Sequence, residues 1–414
     1  MSRLGRLAYT APVSRPPESL ANPRLWLAFA TMLLVSGFAN SYVLFLPPLL
    51  AEYHAPRATI ASPLSVIWFV AAALGPVAGW LVARSNPRLV VMTGLGAAAV
   101  GILLGAHAPS LGVMIASVGI AVGVGLGLTG LSTQAALLAD SYRRRRGVAM
   151  GIAFSGAMAA FMLGPLTQRL IGSLGWRGAF VCHAVLMLAL VPVAWYVLPV
   201  RLGGHATLSG SAAGAALPSS LGQIVRSLPF WALLVVFTTP PLFGNLATTQ
   251  HALYFPARGF GAAETSLMLA AGGVLAASGR VLAGLAADRF GAAVAGLASF
   301  SVSTAGVLCL LGMETWPSRV FAYGYVLFLF LPLGSRATIV SVLLGRIAGP
   351  RNYGPIFGLL GIGNSLGSAA GPWLSGAIFD RTHSYLALYL ATFAFALTGI
   401  AALVVFLLTA RQSS

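Results

Sequence analysis

The chain has 414 residues, of which 58% are hydrophobic and only 7% charged, with a mean hydropathy of +0.89. A soluble domain carries about 25% charged residues, so a water-soluble globular protein is excluded. The net charge of +17 comes entirely from arginine, and it follows short polar segments without interleaved aromatics, which sets nucleic acid aside as a partner.

Apolar runs follow one another between polar breaks, each long enough to cross a hydrocarbon core of about 30 Å. They predict an all-α integral membrane protein with twelve spans at 25–50, 60–83, 88–107, 111–138, 147–171, 178–199, 228–254, 265–287, 292–312, 318–345, 354–379 and 385–409. Residues 1–24 carry Arg3, Arg6, Arg15 and Arg24 but no short apolar region with a small-residue cleavage site. They read as a cytoplasmic tail before an uncleaved first helix. The stretch Arg201–Arg226, rich in Gly, Ser and Ala, reads as a cytoplasmic linker between six-helix bundles at 25–200 and 227–410. With the N-terminus inside, sixteen arginines fall on the cytoplasmic side and six on the other. That bias places both termini in the cytoplasm. Cys182 and Cys309 both lie in apolar segments, so no disulfide framework or metal site is expected.

The two halves repeat. Gly147, Gly151, Gly164 and Pro165 match Gly354, Gly358, Gly371 and Pro372 at an offset of 207. Gly79, Arg84 and Asn40 match Gly284, Arg289 and Asn245 at 205. Two homologous halves around a site near mid-membrane is an arrangement that transporters use for alternating access.

Gly284-Leu-Ala-Ala-Asp288-Arg289-Phe-Gly291 resembles the signature loop between helices 8 and 9 of the major facilitator superfamily. The first-half counterpart, Gly79-Trp-Leu-Val-Ala-Arg84, has Ala83 where that family usually has Asp. Tyr142–Gly156 resembles the helix-5 signature of the monocarboxylate porter and oxalate/formate antiporter groups. Gly175-Trp176-Arg177-Gly178, Gly371-Pro372 and Phe379-Asp380 are similar to the same groups. The resemblance implies two pseudo-symmetric six-helix bundles, no cofactor, and a small carboxylate as the solute. It also implies an essential arginine on helix 8. Those relatives often place an acid one turn earlier, where this chain has Ala276.

That arginine is Arg280, in the apolar stretch Ser266–Ala287 and eight residues before Asp288. A lone guanidinium at membrane depth costs roughly 2.5–3.5 kcal/mol on insertion scales, so something must compensate it. A carboxylate gripped by its fork would do so, and so would helix carbonyls. Arg336, ten residues before Arg346, has a similar depth. It either joins a second carboxylate site or bonds backbone oxygens near a cytoplasmic gate. Asn40, Asn245, Thr249 and Tyr325 are the polar candidates for the rest of the solute, although such side chains also bond helix to helix. No acid lies deep in a span, which leaves His251 as the titratable candidate for proton coupling, or anion exchange without one. Arg84, Asp140, Arg144, Asp288 and Arg289 are the candidates for a cytoplasmic gate.

The expected function is a secondary carrier of a small organic anion in a bacterial inner membrane, working as a monomer in the bilayer. The alternative is a carrier or exporter of a neutral or lipophilic solute. No phosphate-cradling loop and no catalytic constellation at membrane depth is present, which argues against a pump or an enzyme.

Overall fold

A computed structural model describes residues 20–142, 145–201, 221–345, 347–348 and 352–410. Most of the expected tail and linker, and the gate candidate Arg144, lie outside the described residues.

The described chain is helical throughout, and nine stretches are long and apolar enough to cross a membrane. In chain order the helices are α1 (Pro23–Tyr53), α2 (Arg57–Arg84), α3 (Pro87–Ala106), α4 (Leu111–Ser141), α5 (147–174), α6 (176–197), α7 (Leu228–Thr249, continued by His251–Ala257), α8 (Ala262–Phe290), α9 (Ala292–Thr315), α10 (Arg319–Phe330 and Arg336–Leu344), α11 (Tyr353–Thr382) and α12 (Tyr385–Ala410). They follow the twelve expected spans in order. The boundary between α5 and α6 is made by Gly175, whose φ of 72° is open to glycine and costly for other residues.

The structure interrupts spans that the hydrophobic pattern left continuous, at Gly130 of α4, at Gln250 of α7 and over the longest stretch in α10. Helix α10 stops at Phe330 and restarts at Arg336, with residues 331–335 forming a turn. Pro332 lacks an N–H and cannot continue the ladder. The turn closes instead through Leu333 N to Phe330 O (2.9 Å) and Ser335 N to Pro332 O (3.1 Å).

Small residues let these helices approach closely, which is how membrane helices gain packing energy without a hydrophobic drive between them. A side chain at Gly119, Gly123 or Gly127 of α4 would strike Val66, Val70 or Leu74 of α2, and one at Gly125 would strike Ala98 of α3.

Across the interface between the halves, packing is one-sided. Gly273 of α8 lies against Phe161 and Met158 of α5, and Gly376 of α11 against Ala58 of α2. These contacts fall on the half of the molecule away from Arg84 and Arg289. At the arginine-bearing end, a methyl built on Gly75, Gly147, Gly151, Gly284 or Gly358 meets nothing within 4 Å. The halves are therefore pressed together at the end away from Arg84 and Arg289. The described ion pairs also sit at the closed end: Glu52 with Arg177 (2.5 Å), Glu314 with Arg258 (2.7 Å) and Glu264 with Arg319 (3.1 Å).

Candidate functional site

Between the halves lies a cleft with a small, partly open base. Its polar lining is Asn40 of α1 with Asn245 and Thr248 of α7, and its apolar wall includes Val43, Leu64, Trp68, Phe161 and Leu269. The two asparagines mirror each other. Asn40 Nδ2 donates to Ala157 O of α5 (3.3 Å), and Asn245 Nδ2 donates to Ser368 O of α11 (3.3 Å). Each amide ties two helices of its own half and still borders the cleft. Thr248 donates its hydroxyl to Gly244 O (2.9 Å), leaving its lone pairs to the cleft.

Arg280 lies further toward the mouth. Counting 100° per residue, Leu269, Gly273 and Arg280 share one face of α8. Leu269 lines the base and Gly273 meets the opposite half, so Arg280 stands on the cleft wall. It is half-buried. Its Nε donates a long 3.4 Å bond to Gly334 O in the turn of α10. The terminal nitrogens have no partner among the described residues, so both arms of the fork are available. The neighbouring Gly279 explains the placement: a Cβ there would come within 1.6 Å of Leu331 O. Only glycine lets α8 lie directly on the broken segment of α10.

Arg280 and the base do not form a single point. Eleven residues separate Arg280 from Leu269, about 16 Å along the helix. Arg280 and the Asn40–Asn245 pair therefore lie at different levels of the cleft. The sequence reading had joined them in one site.

The other candidates lie elsewhere. Thr249 is buried and donates to Asn245 O (2.7 Å), away from the cleft lining. Tyr325 is buried and reaches His251 Nδ1 (3.4 Å). Arg336 is 5% exposed and points into the C-terminal half. There its guanidinium lies 5.0 Å from the ring centre of Phe243 and 5.1 Å from that of Phe300, with Nη2 on Ser303 Oγ. At the arginine-bearing end, Arg84 lies over Trp80 (5.3 Å) and Arg289 over Phe290 (5.6 Å), each a residue of its own helix. Asp288 is exposed and Asp140 half-buried.

His251 is held on both sides. Its Nε2 lies 3.0 Å from Thr265 O, which can only accept, so that nitrogen carries the proton and Nδ1 takes the Tyr325 hydroxyl. The ring is neutral in that arrangement and buried against Phe255. His251→Gln is expected to lower the melting temperature, through about 1–3 kcal/mol of lost buried hydrogen bonding. It should leave any dependence of transport on an inward proton gradient in place. Loss of that dependence in a variant of unchanged stability would make His251 the proton carrier.

Residues 27–335 match the family profile described as Major Facilitator Superfamily. The chain belongs to the major facilitator superfamily. It is 27% identical over 383 residues to "Monocarboxylate transporter 13" of Bos taurus, covering 91% of this chain and 87% of that protein. It is 29% identical over 386 residues to "Monocarboxylate transporter 11" of Mus musculus, covering 90% and 84%. Among solved structures, a bacterial homologue of the human lysosomal transporter Spinster in an inward-facing, occupied conformation superposes with a TM-score of 0.72. Its sequence is 15% identical, over 95% of this chain and 98% of that one. As a member of the superfamily the protein is a multi-pass membrane transporter, with the two-bundle fold that the repeat implied. Its fold and relatives are those of transporters rather than enzymes.

Sequence reasoning missed Trp68 and Phe161 at the base, because an aromatic in an apolar span looks the same whether it lines a cleft or a lipid face. Thr248 lay in the polar run of α7 and could have been chosen over Thr249. Only the helix packing separates the two.

Proposed function

We propose that this superfamily member is a secondary carrier of a small organic carboxylate, a monocarboxylate such as lactate or pyruvate or a close relative. The observation that carries the reading is Arg280, on the cleft wall with two free arms and one weak backbone bond. A carboxylate docking there receives two parallel charge-assisted hydrogen bonds and neutralises a guanidinium that otherwise lies in a low-dielectric wall. Asn40, Asn245 and Thr248 meet the solute at the base in turn, after it has left Arg280. The names of the relatives at 27% and 29% identity support the same solute class.

The halves rock about the cleft, so that the solute passes Arg280 on one side of the cycle and the closed end opens on the other. The arginine excess at the end that carries Arg84 and Arg289 supports a cytoplasmic mouth, with both termini inside and the protein in a bacterial plasma membrane. One polypeptide holds the whole path, and a monomer suffices. Among the described residues no acid lines the path with Arg280, which leaves two couplings: exchange of one anion for another, or a proton carried with the solute.

A second reading has its own observation. The base of the cleft is uncharged and walled by Trp68, Phe161 and aliphatic side chains, which suits a neutral or lipophilic solute.

Uptake into proteoliposomes separates them. Labelled lactate, pyruvate, formate, oxalate and succinate are tested with an inward proton gradient and, separately, with unlabelled anion trapped inside. Saturable uptake of a carboxylate is expected, and the driving condition assigns the coupling. If no carboxylate moves while a neutral solute does, the second reading replaces the first.

A further inference from the structure

Helix α2 begins at the closed end with Arg57, and its first N–H groups have no partner within the helix. Pro56, the residue before it, supplies no side-chain cap. The cap comes from the other half of the molecule. Asp380, near the end of α11, accepts from Arg57 N through Oδ1 (3.0 Å) and from Ala58 N through Oδ2 (2.9 Å). A carboxylate at a helix N-terminus gains both hydrogen bonds and the favourable end of the helix dipole.

Four further contacts cross the same seam. The Arg57 guanidinium lies 3.6 Å from the centre of the Phe379 ring, and its Nη1 donates to Tyr385 Oη (2.7 Å) and Gln250 Oε1 (3.2 Å). The Trp373 amide donates to Ser65 Oγ (3.1 Å). Gly376 makes the approach possible, because a Cβ there would lie 2.3 Å from Ala58 N.

The internal repeat supplies a comparison within the same molecule. Offsets of 205 and 207 place Ala262, the first residue of α8, opposite Arg57, and Ser173, near the end of α5, opposite Asp380. Ser173 turns back on its own helix and donates to Arg169 O (2.9 Å). In the first turn of α8, Glu264 is taken by Arg319 and Tyr323 of its own half. Of these two repeat-related seams, the α2–α11 seam carries a carboxylate from one half on the helix start of the other.

We infer that Asp380 is the latch of the closed end: its two bonds to the start of α2 hold the halves together there and set how often that end opens. When α11 swings away, the carboxylate and both N–H groups pass into water and are rehydrated. The latch is therefore reversible on every cycle. It is a positioning residue for the transport cycle and touches no solute.

The test needs no knowledge of the solute, so its outcome is independent of the carboxylate assignment. In the full-length protein with Cys182 and Cys309 replaced by Ser, spin labels are attached at His107→Cys and Thr315→Cys. These are exposed positions at the closed end of opposite halves. Electron–electron distance measurements in lipid nanodiscs are expected to show one short distance in the parent. A several-fold rise in a longer-distance population is expected in Asp380→Ala. Gly376→Ala keeps the carboxylate but sets a methyl between the helices, and it should show the same rise if Asp380→Ala does not fold. Ser173→Ala, at the repeat-related position, should match the parent. An unchanged distribution in a folded Asp380→Ala or Gly376→Ala variant would overturn the latch. Equal widening in Ser173→Ala would do so too, by showing general loosening.

Discussion

Arg280→Ala is expected to raise the KM for carboxylate uptake roughly ten- to a hundredfold, or to abolish measurable uptake. Hydrogen bonds to a charged partner contribute about 1.5–3 kcal/mol, and each 1.4 kcal/mol is about tenfold in affinity. The variant should fold, because Arg280 gives the protein only the 3.4 Å bond to Gly334 O. Removing an uncompensated cation from an apolar wall also favours insertion. Arg280→Lys keeps the charge but loses the planar fork, so an intermediate defect is expected. Initial rates in proteoliposomes across solute concentration distinguish the three proteins. An Arg280→Ala variant with wild-type KM would remove the clamp from the account.

The second large effect concerns a residue that touches no solute. Gly279→Ala is expected to lower both thermal stability and transport, although Arg280 remains in place. The added methyl would sit 1.6 Å from Leu331 O, backbone on the broken segment of α10. A backbone carbonyl cannot rotate out of the way as the tip of a long side chain can. The helices must separate, at an overpacking cost of about 1–3 kcal/mol or more. Separation also carries Gly334 O away from Arg280 and shifts the guanidinium on the cleft wall. Gly284→Ala, one turn beyond Arg280 where a methyl meets nothing within 4 Å, should be close to neutral. A melting curve in detergent and a transport assay on both variants check the contrast.

The membrane class, the order of the helices and their two-fold repeat were legible in the sequence because they rest on apolar run length and on a fixed offset. Both signals survive tertiary packing. The place of Arg280 along α8 was legible for the same reason, since rise per residue fixes position on an unbroken helix. Azimuth was not legible where a helix breaks. An unbroken helix over 318–345 would set Tyr325 and Arg336, eleven residues apart, on nearly one face, but residues 331–335 form a turn between them. The phase is reset there. Tyr325 meets His251, while Arg336 turns toward Ser303, Phe243 and Phe300. Pro332 and Gly334 were the available warnings.

Long-range partners were beyond the sequence altogether. Asp380 reads as one more acid at a helix end, and its partner amides lie more than 320 residues away at Arg57 and Ala58. The separation between Arg280 and the cleft base was hidden for a related reason. Asn40 and Asn245 sit at comparable places in their halves, and α8 passes them at Leu269 rather than at Arg280.

The most direct measurement is calorimetric titration of the transported carboxylate into the purified protein and into Arg280→Ala, at one pH and one ionic strength. Binding to the wild-type protein and a loss of at least tenfold in affinity in the variant are expected. Equal affinities in the two proteins would contradict the assignment of Arg280 as the carboxylate clamp.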